Sequence, residues 1–169
     1  MHETPDELAA LQGLLDRSYE DAGPHLRRII TPERRMSAEQ VAERLQGMCL
    51  LALATATADG RPIVGPVDGI FFRGAFHFGS APDSVRFRHI GARPHVSATH
   101  LPGEEFAVTV HGRAVEADVS KGTELREAFL EVYVPRYGPE WEKFLDSGPV
   151  YARIEPERMF TFQMEAAAS

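Results

Sequence analysis

The segment Phe76–Leu101 decides the fold, and it reads FHFGSAPDSVRFRHIGARPHVSATHL. It begins with aromatic residues at alternate positions, which is typical of a β-strand that buries one face. A turn of small and polar residues follows, and Ser84 then precedes a short helix that carries Arg86 and ends at Gly91. A proline separates this helix from the next strand, which begins at His95. The pattern therefore predicts a strand, a turn, a short helix and a second strand.

The start of this helix has the features of an anion-binding site. Free backbone N–H groups and the positive end of the helix dipole point to one place, where Ser80, Ser84 and Arg86 add hydroxyls and a guanidinium. A charge-assisted hydrogen bond from arginine to phosphate contributes about 1.5–3 kcal/mol. Asp83 would repel a phosphate unless its side chain caps the helix. We expect a phosphate-bearing ligand here; the alternative is an exposed arginine beside ordinary capping serines.

Outward from this segment the chain shows strong hairpin signals. Residues 48–57 are a continuous apolar run, which predicts a strand buried on both faces. Ala58-Asp59-Gly60 predicts a hairpin, and Gly65-Pro66 marks a bulge or a close approach in the next strand. Further strands are predicted at 62–72, 75–80, 95–100, 105–118, 150–155 and 159–164. Many short strands with Gly and Pro bends favour a mainly β protein built as an antiparallel barrel, although the pattern also allows a sandwich.

The polar N-terminal region is predicted to be helical. Leucines within 6–19 fall on one helical stripe, and Ser37 with Gln40 forms the capping box of a second helix. We predict a helical N-terminal extension over residues 1–47, a β domain over 48–164 and a tail over 165–169. The extension holds four arginines, which either belong to a solvated connector or contact an acidic cofactor tail: Arg27, Arg28, Arg34 and Arg35.

Composition excludes several classes of function. The chain has 169 residues, 43% of them hydrophobic, which favours one domain with a substantial core. A net charge of −7 argues against binding to nucleic acid or to an anionic membrane surface. Cys49 is the only cysteine and is predicted to be a buried small hydrophobe. We expect no membrane span, no signal peptide and no metal site, and a cytoplasmic location.

In order and spacing, the motifs of residues 48–162 resemble the FMN-binding split barrel of the pyridoxamine 5′-phosphate oxidase-like superfamily. In that superfamily a strand ends in Thr or Ser, a Ser-x-Lys/Arg turn opens a helix, and an Asn-Pro-x-Val-Ser strand follows. The matching residues are Ser80, Ser84, Arg86 and Arg93-Pro94-His95-Val96-Ser97. The resemblance implies a six-stranded antiparallel split β-barrel with flanking helices, which forms a homodimer and holds its cofactor at the dimer interface.

The resemblance also implies a flavin-dependent oxidoreductase that uses FMN and acts on a small-molecule substrate. In the second strand, backbone contacts to the edge of the flavin ring would come from Val64, Gly65, Pro66, Val67 and Asp68. Ser80, Ser84 and Arg86 would bind the phosphate. True pyridoxamine 5′-phosphate oxidases carry an arginine and a lysine on the second strand and a C-terminal Arg-x-His segment, and this chain has neither. Vitamin B6 oxidation is therefore not expected, and no catalytic acid or base is assigned because the redox chemistry belongs to the cofactor.

Two alternatives remain open at this stage. Relatives of the split barrel bind the deazaflavin coenzyme F-420 through a basic groove, which the N-terminal arginines could supply. Others bind haem, so a non-catalytic flavin or haem carrier, with His100 or His111 as an axial ligand, is a minor alternative. Four aromatic residues lie close together in sequence: Tyr133, Tyr137, Trp141 and Phe144. We interpret this aromatic group as a core or dimer contact; the alternative is a wall over the flavin supplied by the partner subunit.

Overall fold

Six antiparallel strands close into a barrel in the order β1-β2-β3-β6-β5-β4. The structure, a computed structural model, describes residues 1–164, so the predicted tail lies outside the described residues. The strands are Met48–Ala56 (β1), Pro62–Phe72 (β2), Ala75–Ser80 (β3), His95–His100 (β4), Phe106–Glu116 (β5) and Val150–Gln163 (β6). The predicted mainly β fold, a six-stranded antiparallel barrel with flanking helices, is confirmed.

The helices are Pro5–Glu20 (α1), Pro24–Ile29 (α2), Ala38–Arg44 (α3), Val85–Ala92 (α4), Glu124–Tyr137 (α5) and Trp141–Leu145 (α6). A short 3₁₀ helix spans Pro32–Arg34. Helix α3 begins with the predicted capping box, in which Ser37 and Gln40 exchange side-chain to backbone hydrogen bonds. Helix α2 was not predicted, because the Gly-Pro pair before it resembled a break; the proline instead occupies the first helical turn. Among residues 1–164, no helix combines the length and apolar character needed to cross a membrane.

Three details of the strands differ from the predictions. β1 is not buried on both faces: Leu51 and Leu53 are 1% exposed but Leu50 is 60% exposed, because a barrel has one interior and alternate side chains point away from it. The two predicted strands at 150–155 and 159–164 are one strand, β6. β2 has no bulge at Gly65-Pro66, since its register with β1 is continuous there.

Two clusters of buried apolar side chains lie on opposite sides of the barrel wall. The larger fills the barrel and includes the buried leucines of α1, so α1 shares the core of the β domain. The smaller packs α5 and α6 against the outside of β2 and β6. Arg126 is 3% exposed and joins α5 to α6 through ion pairs with Glu142 (3.3 Å) and Asp146 (3.0 Å).

Helix α1 completes the hydrogen bonding of β6. β3 pairs with β6 only at residues 150–153, which leaves one edge of the later part of β6 without a strand partner. There the Met159 N–H donates to Ser18 Oγ (2.9 Å), and the Thr161 N–H donates to Tyr19 Oη (2.8 Å). The Tyr19 hydroxyl donates in turn to the Thr161 carbonyl (2.8 Å). All four residues are buried, so these bonds replace a missing strand.

We expect Tyr19→Phe to lower the free energy of unfolding by about 1–3 kcal/mol, because the Thr161 N–H would lose its acceptor in a buried setting. Denaturant titration measures the change. Tyr137→Phe makes the same chemical change on a ring that is 55% exposed, and it should cost less than about 0.5 kcal/mol. Equal losses in the two variants would contradict the role given to the Tyr19 hydroxyl.

His77 makes stability depend on pH. Burial lowers the pKa of His77 from 6.5 to about 4, with a smaller contribution from the Arg153 charge, despite an opposing hydrogen bond to the Ala75 carbonyl. Between these values the unfolded chain binds a proton that the folded chain does not. The contribution of His77 to the free energy of unfolding should therefore be fully present above about pH 6.5 and should decline as the pH falls toward about 4.

Urea titrations at several pH values test this expectation. His77→Gln should flatten the decline between about pH 6.5 and 4, whatever its effect on absolute stability, because it removes the titrating group. His25→Gln, at an exposed position, is the matched control and should leave the slope unchanged. An unchanged slope in His77→Gln would show that other groups cause the acid sensitivity.

Candidate functional site

Helix α4 begins at a cap that leaves donors available. Ser84 is the N-cap, and its Oγ accepts a hydrogen bond from the Phe87 N–H (3.3 Å), so Ser84 rather than Asp83 caps the helix. Within residues 1–164, the N–H groups of Val85 and Arg86 have no acceptor. These two N–H groups and the helix dipole form a positively polarised end. The helix also extends one residue past the predicted end at Gly91.

Arg86 links this helix end to β2. Its Nη2 donates to the Pro66 carbonyl oxygen at 2.8 Å, and the guanidinium passes beside Gly65, where a Cβ atom would lie 3.4 Å from Nη2. Burial lowers the pKa of Arg86, and the nearby charge of Asp68 partly opposes this shift. A guanidinium carries five N–H donors, so one bond to Pro66 leaves others free for a ligand. Of the two interpretations of Gly65-Pro66, a bulge or a close approach, the structure shows the close approach, and Arg86 is the group that lies against Gly65.

The structure divides the predicted run on β2 between two faces. Val64, Pro66 and Asp68 point outward and are exposed, whereas Val67 is 7% exposed and belongs to the barrel core. Gly65 also points to the inner side and is half-buried. The outward residues therefore share one surface, whereas Gly65 and Val67 face the other side of the strand, and the Arg86 guanidinium reaches the strand backbone on the Gly65 side.

Ser80 and Asp68 meet at a small aromatic cavity of about 100 Å³. Its remaining lining residues are Gly79, Phe129, Tyr133, Trp141, Phe144 and Tyr151. Tyr133 Oη donates to Asp68 Oδ2 at 2.6 Å. Burial, followed by this hydrogen bond, raises the pKa of Tyr133. The aromatic group predicted from the sequence thus lies against Asp68 of its own chain.

Sequence reasoning did not connect the aromatic group with Asp68, nor did it include Phe129 and Tyr151. Tyr151 packs on Gly79, where a Cβ atom would be only 2.6 Å from the ring. The glycine in the predicted strand was therefore a usable signal for a closely packed ring. The Tyr133–Asp68 contact spans 65 positions and left no local signal.

The two histidines suggested as axial haem ligands each form a hydrogen bond through Nδ1. His100 Nδ1 bonds with the Leu50 carbonyl (2.8 Å) and His111 Nδ1 with Ser97 Oγ (2.7 Å). Across residues 1–164, no group of three or more His, Cys, Asp or Glu side chains is placed to hold a metal ion. Cys49 is buried, which raises the pKa of its thiol to about 12.

The N-terminal arginines mainly contact their own region. Arg27, Arg34 and Arg35 donate to the carbonyls of Ala22, Ile29 and Ile30, respectively. The guanidinium of Arg35 also lies 4.2 Å from the centre of the Tyr19 ring. Much of this basic patch therefore stabilises the packing of the N-terminal helices.

Comparison with known proteins relates the chain to one family. Residues 37–168 match the sequence model of the family described as Pyridoxamine 5′-phosphate oxidase. Among curated proteins, none is similar enough to match the chain.

Several solved structures share the fold. The conserved hypothetical protein Rv2991 from Mycobacterium tuberculosis is 20% identical, with a TM-score of 0.63 over 82% of this chain and 96% of that protein. HutZ, a haem storage protein from Vibrio cholerae, is 20% identical, with a TM-score of 0.58 over 79% of this chain and 99% of HutZ. A FAD-binding protein from Mesorhizobium loti is 25% identical, with a TM-score of 0.55 over 76% of this chain and 93% of that protein.

Proposed function

The chain belongs to the pyridoxamine 5′-phosphate oxidase family, and from that premise we propose that it is a flavin-dependent oxidoreductase that binds FMN. The observation that carries the proposal is the contact of Arg86 with β2, which unites an anion-binding helix end and a strand surface in one site. Similarity to a FAD-binding protein supports a flavin-type ligand.

The residues at the start of α4 suit a phosphate group. Arg86 retains free guanidinium donors, and the N–H groups of Val85 and Arg86 are unpaired among the described residues. The Ser84 hydroxyl accepts from Phe87 and can donate its own proton to an anion. Backbone N–H groups bind an anion through fixed dipoles. Such a site does not require an excess of basic residues, which this protein, with a net charge of −7, does not have.

The outward residues of β2 suit the ring of a flavin. Val64 and Pro66 offer apolar contact area beside the anchor of Arg86, and a flat ring system needs such walls. FMN, when bound, supplies the redox chemistry. The protein residues hold the phosphate, orient the ring and exclude water from it. The substrate is a small molecule, and we do not expect it to be pyridoxamine 5′-phosphate, because no residue of β2 is basic.

We propose that a second copy of the chain covers this surface, so that the active protein is a homodimer. Leu50 and Val64 are 60% and 65% exposed, and they lie on paired strands, β1 and β2. Between them the outward positions hold Ala52, Ala54 and Pro66, and Asp68, the ladder partner of Leu50, borders this apolar patch. A contiguous exposed apolar sheet face marks an interaction surface, and a symmetric pair would bury it.

Binding of coenzyme F-420 is the second candidate, and a haem carrier is the third. Three of the four arginines that an F-420 tail would require donate one hydrogen bond each within their own region and keep further donors, so the net charge of −7 is what ranks a polyanionic tail below FMN. Similarity to a haem storage protein keeps a non-catalytic haem carrier in consideration. Mass spectrometry of the small molecule released on denaturation distinguishes the three.

We expect Arg86→Ala to weaken FMN binding about tenfold or more, because a charged hydrogen bond to phosphate contributes about 1.5–3 kcal/mol. Riboflavin, which lacks the phosphate, should lose little affinity. Arg88→Ala removes an exposed arginine from the same helix and is the matched control, with little expected effect on either ligand. Flavin fluorescence titration measures all four affinities, and equal losses for FMN and riboflavin in Arg86→Ala would exclude the phosphate assignment.

We expect light scattering at micromolar concentration to give about twice the chain mass of 18.7 kDa. Leu50→Glu should produce monomers, because it places a charge within the proposed apolar interface. Ile29→Glu adds the same charge at a residue that is 44% exposed on α2, outside this face, and it should remain dimeric. A monomeric wild-type protein would remove the interface from the proposed site.

A further inference from the structure

We propose that the aromatic cavity beside Asp68 binds a compact organic ammonium group, such as trimethylammonium, and that this group belongs to the substrate. As a statement about substrate class, this rests on the proposed function, since Asp68 lines the cavity and also belongs to the β2 surface of the proposed flavin site. As a statement about binding, it rests on the cavity alone.

The walls of the cavity select for a cation. Five of its eight lining residues carry aromatic rings. Tyr133 is stacked on Trp141 and Tyr137 and so offers its edge and hydroxyl, while the other rings supply the aromatic surface that attracts organic cations through the ring quadrupole. Asp68 is the one charged residue in the lining, and within residues 1–164 no lysine or arginine lines this cavity. A negatively charged or strongly hydrated ligand would gain nothing here, whereas a weakly hydrated cation gains both ring contacts and a counter-ion.

Asp68 is held in position to act as that counter-ion. The Tyr133 hydroxyl donates to Oδ2 at 2.6 Å. No described residue donates to Oδ1, so this oxygen remains available to a ligand. The Tyr133 ring is fixed in turn by stacking on Trp141, with centroids 4.4 Å apart and planes inclined by 22°. A carboxylate on a rigid support loses little entropy on binding.

The dimensions of the cavity suit a small group. Its volume of about 100 Å³ corresponds to about three water molecules at about 30 Å³ each. A trimethylammonium group is of this size, whereas a flavin ring is much larger. Phe129 and Tyr151 are buried and close the inner end, while Phe144 is 51% exposed at the mouth. A ligand therefore inserts a compact head and leaves the rest of its structure outside.

Arg86 separates this cation site from the proposed phosphate site. The guanidinium donates to the Pro66 carbonyl and does not line the cavity. It is still close enough to Asp68 for the carboxylate charge to favour its charged form. A phosphate bound at Arg86 would offset the guanidinium charge that acts on Asp68. The carboxylate would then attract a bound cation more strongly. Opposite charges are thus recognised at neighbouring positions along β2.

Choline and 3,3-dimethylbutan-1-ol test the proposal, because they have the same shape and differ in charge. Binding to the flavin-free protein is followed by calorimetry and by emission of Trp141, the only tryptophan. We expect choline to bind about tenfold or more tightly than the neutral alcohol, a preference that Asp68→Asn abolishes. Asp83→Asn changes an exposed carboxylate outside the cavity and should retain the preference.

Equal affinity for the two compounds, or no detectable binding of either, would overturn the proposal. So would a preference for choline that survives in Asp68→Asn. Phe144→Ala is a second variant that spares the carboxylate and truncates an exposed ring, and it should weaken choline binding several-fold without removing the charge preference. Because no flavin is present, a negative result here leaves the FMN titrations with Arg86→Ala as an independent test of the proposed function.

Discussion

The length of β3 determines much of this structure. β3 has six residues, whereas its neighbours β2 and β6 have 11 and 14, so it cannot pair with either along its whole length. Backbone groups left without partners inside a protein are costly, so the unpaired edge of β6 needs hydrogen-bond partners other than a strand. Ser18 and Tyr19 of α1 perform this role with buried hydroxyls. The N-terminal helix is therefore required by the barrel, and it shares the barrel's core.

The same early end of β3 positions the candidate site. The chain leaves the barrel at Ser80 and enters α4, which lies on the hairpin formed by β1 and β2. Phe87 stacks on Phe78 with ring centroids 5.9 Å apart, and the two ends of the helix are fixed by arginines. Arg86 bonds to β2 through Pro66, and Arg93 bonds to β1 through the Ala56 carbonyl (2.9 Å). The helix end proposed to bind phosphate is thus held by the barrel wall rather than by a mobile loop.

Local patterns predicted most of the elements, but they did not predict the long-range contacts. The bounds of β3 and β4 follow from alternation and from proline, and the Ser84 cap follows from its position before the helix. The exposure of Leu50 could not be read from its apolar neighbours, since burial depends on which face closes the barrel. The same ambiguity applies to Val67, whose side chain lies in the core, so that only its backbone is left for the predicted cofactor contact. The Asp68–Tyr133 contact joins two residues that only the folded chain brings together.

The site depends on local arrangement rather than on total charge. A protein with a net charge of −7 repels anions at long range, but salt screens this field beyond about 8–10 Å. At contact distance the start of α4 offers aligned N–H dipoles and a guanidinium held against Pro66. The excess of negative charge instead favours the approach of cations, and Asp68 supplies a fixed carboxylate within aromatic walls. A ligand pair with a phosphate beside Pro66 and an ammonium beside Asp68 would therefore find complementary charge at these two neighbouring positions on β2.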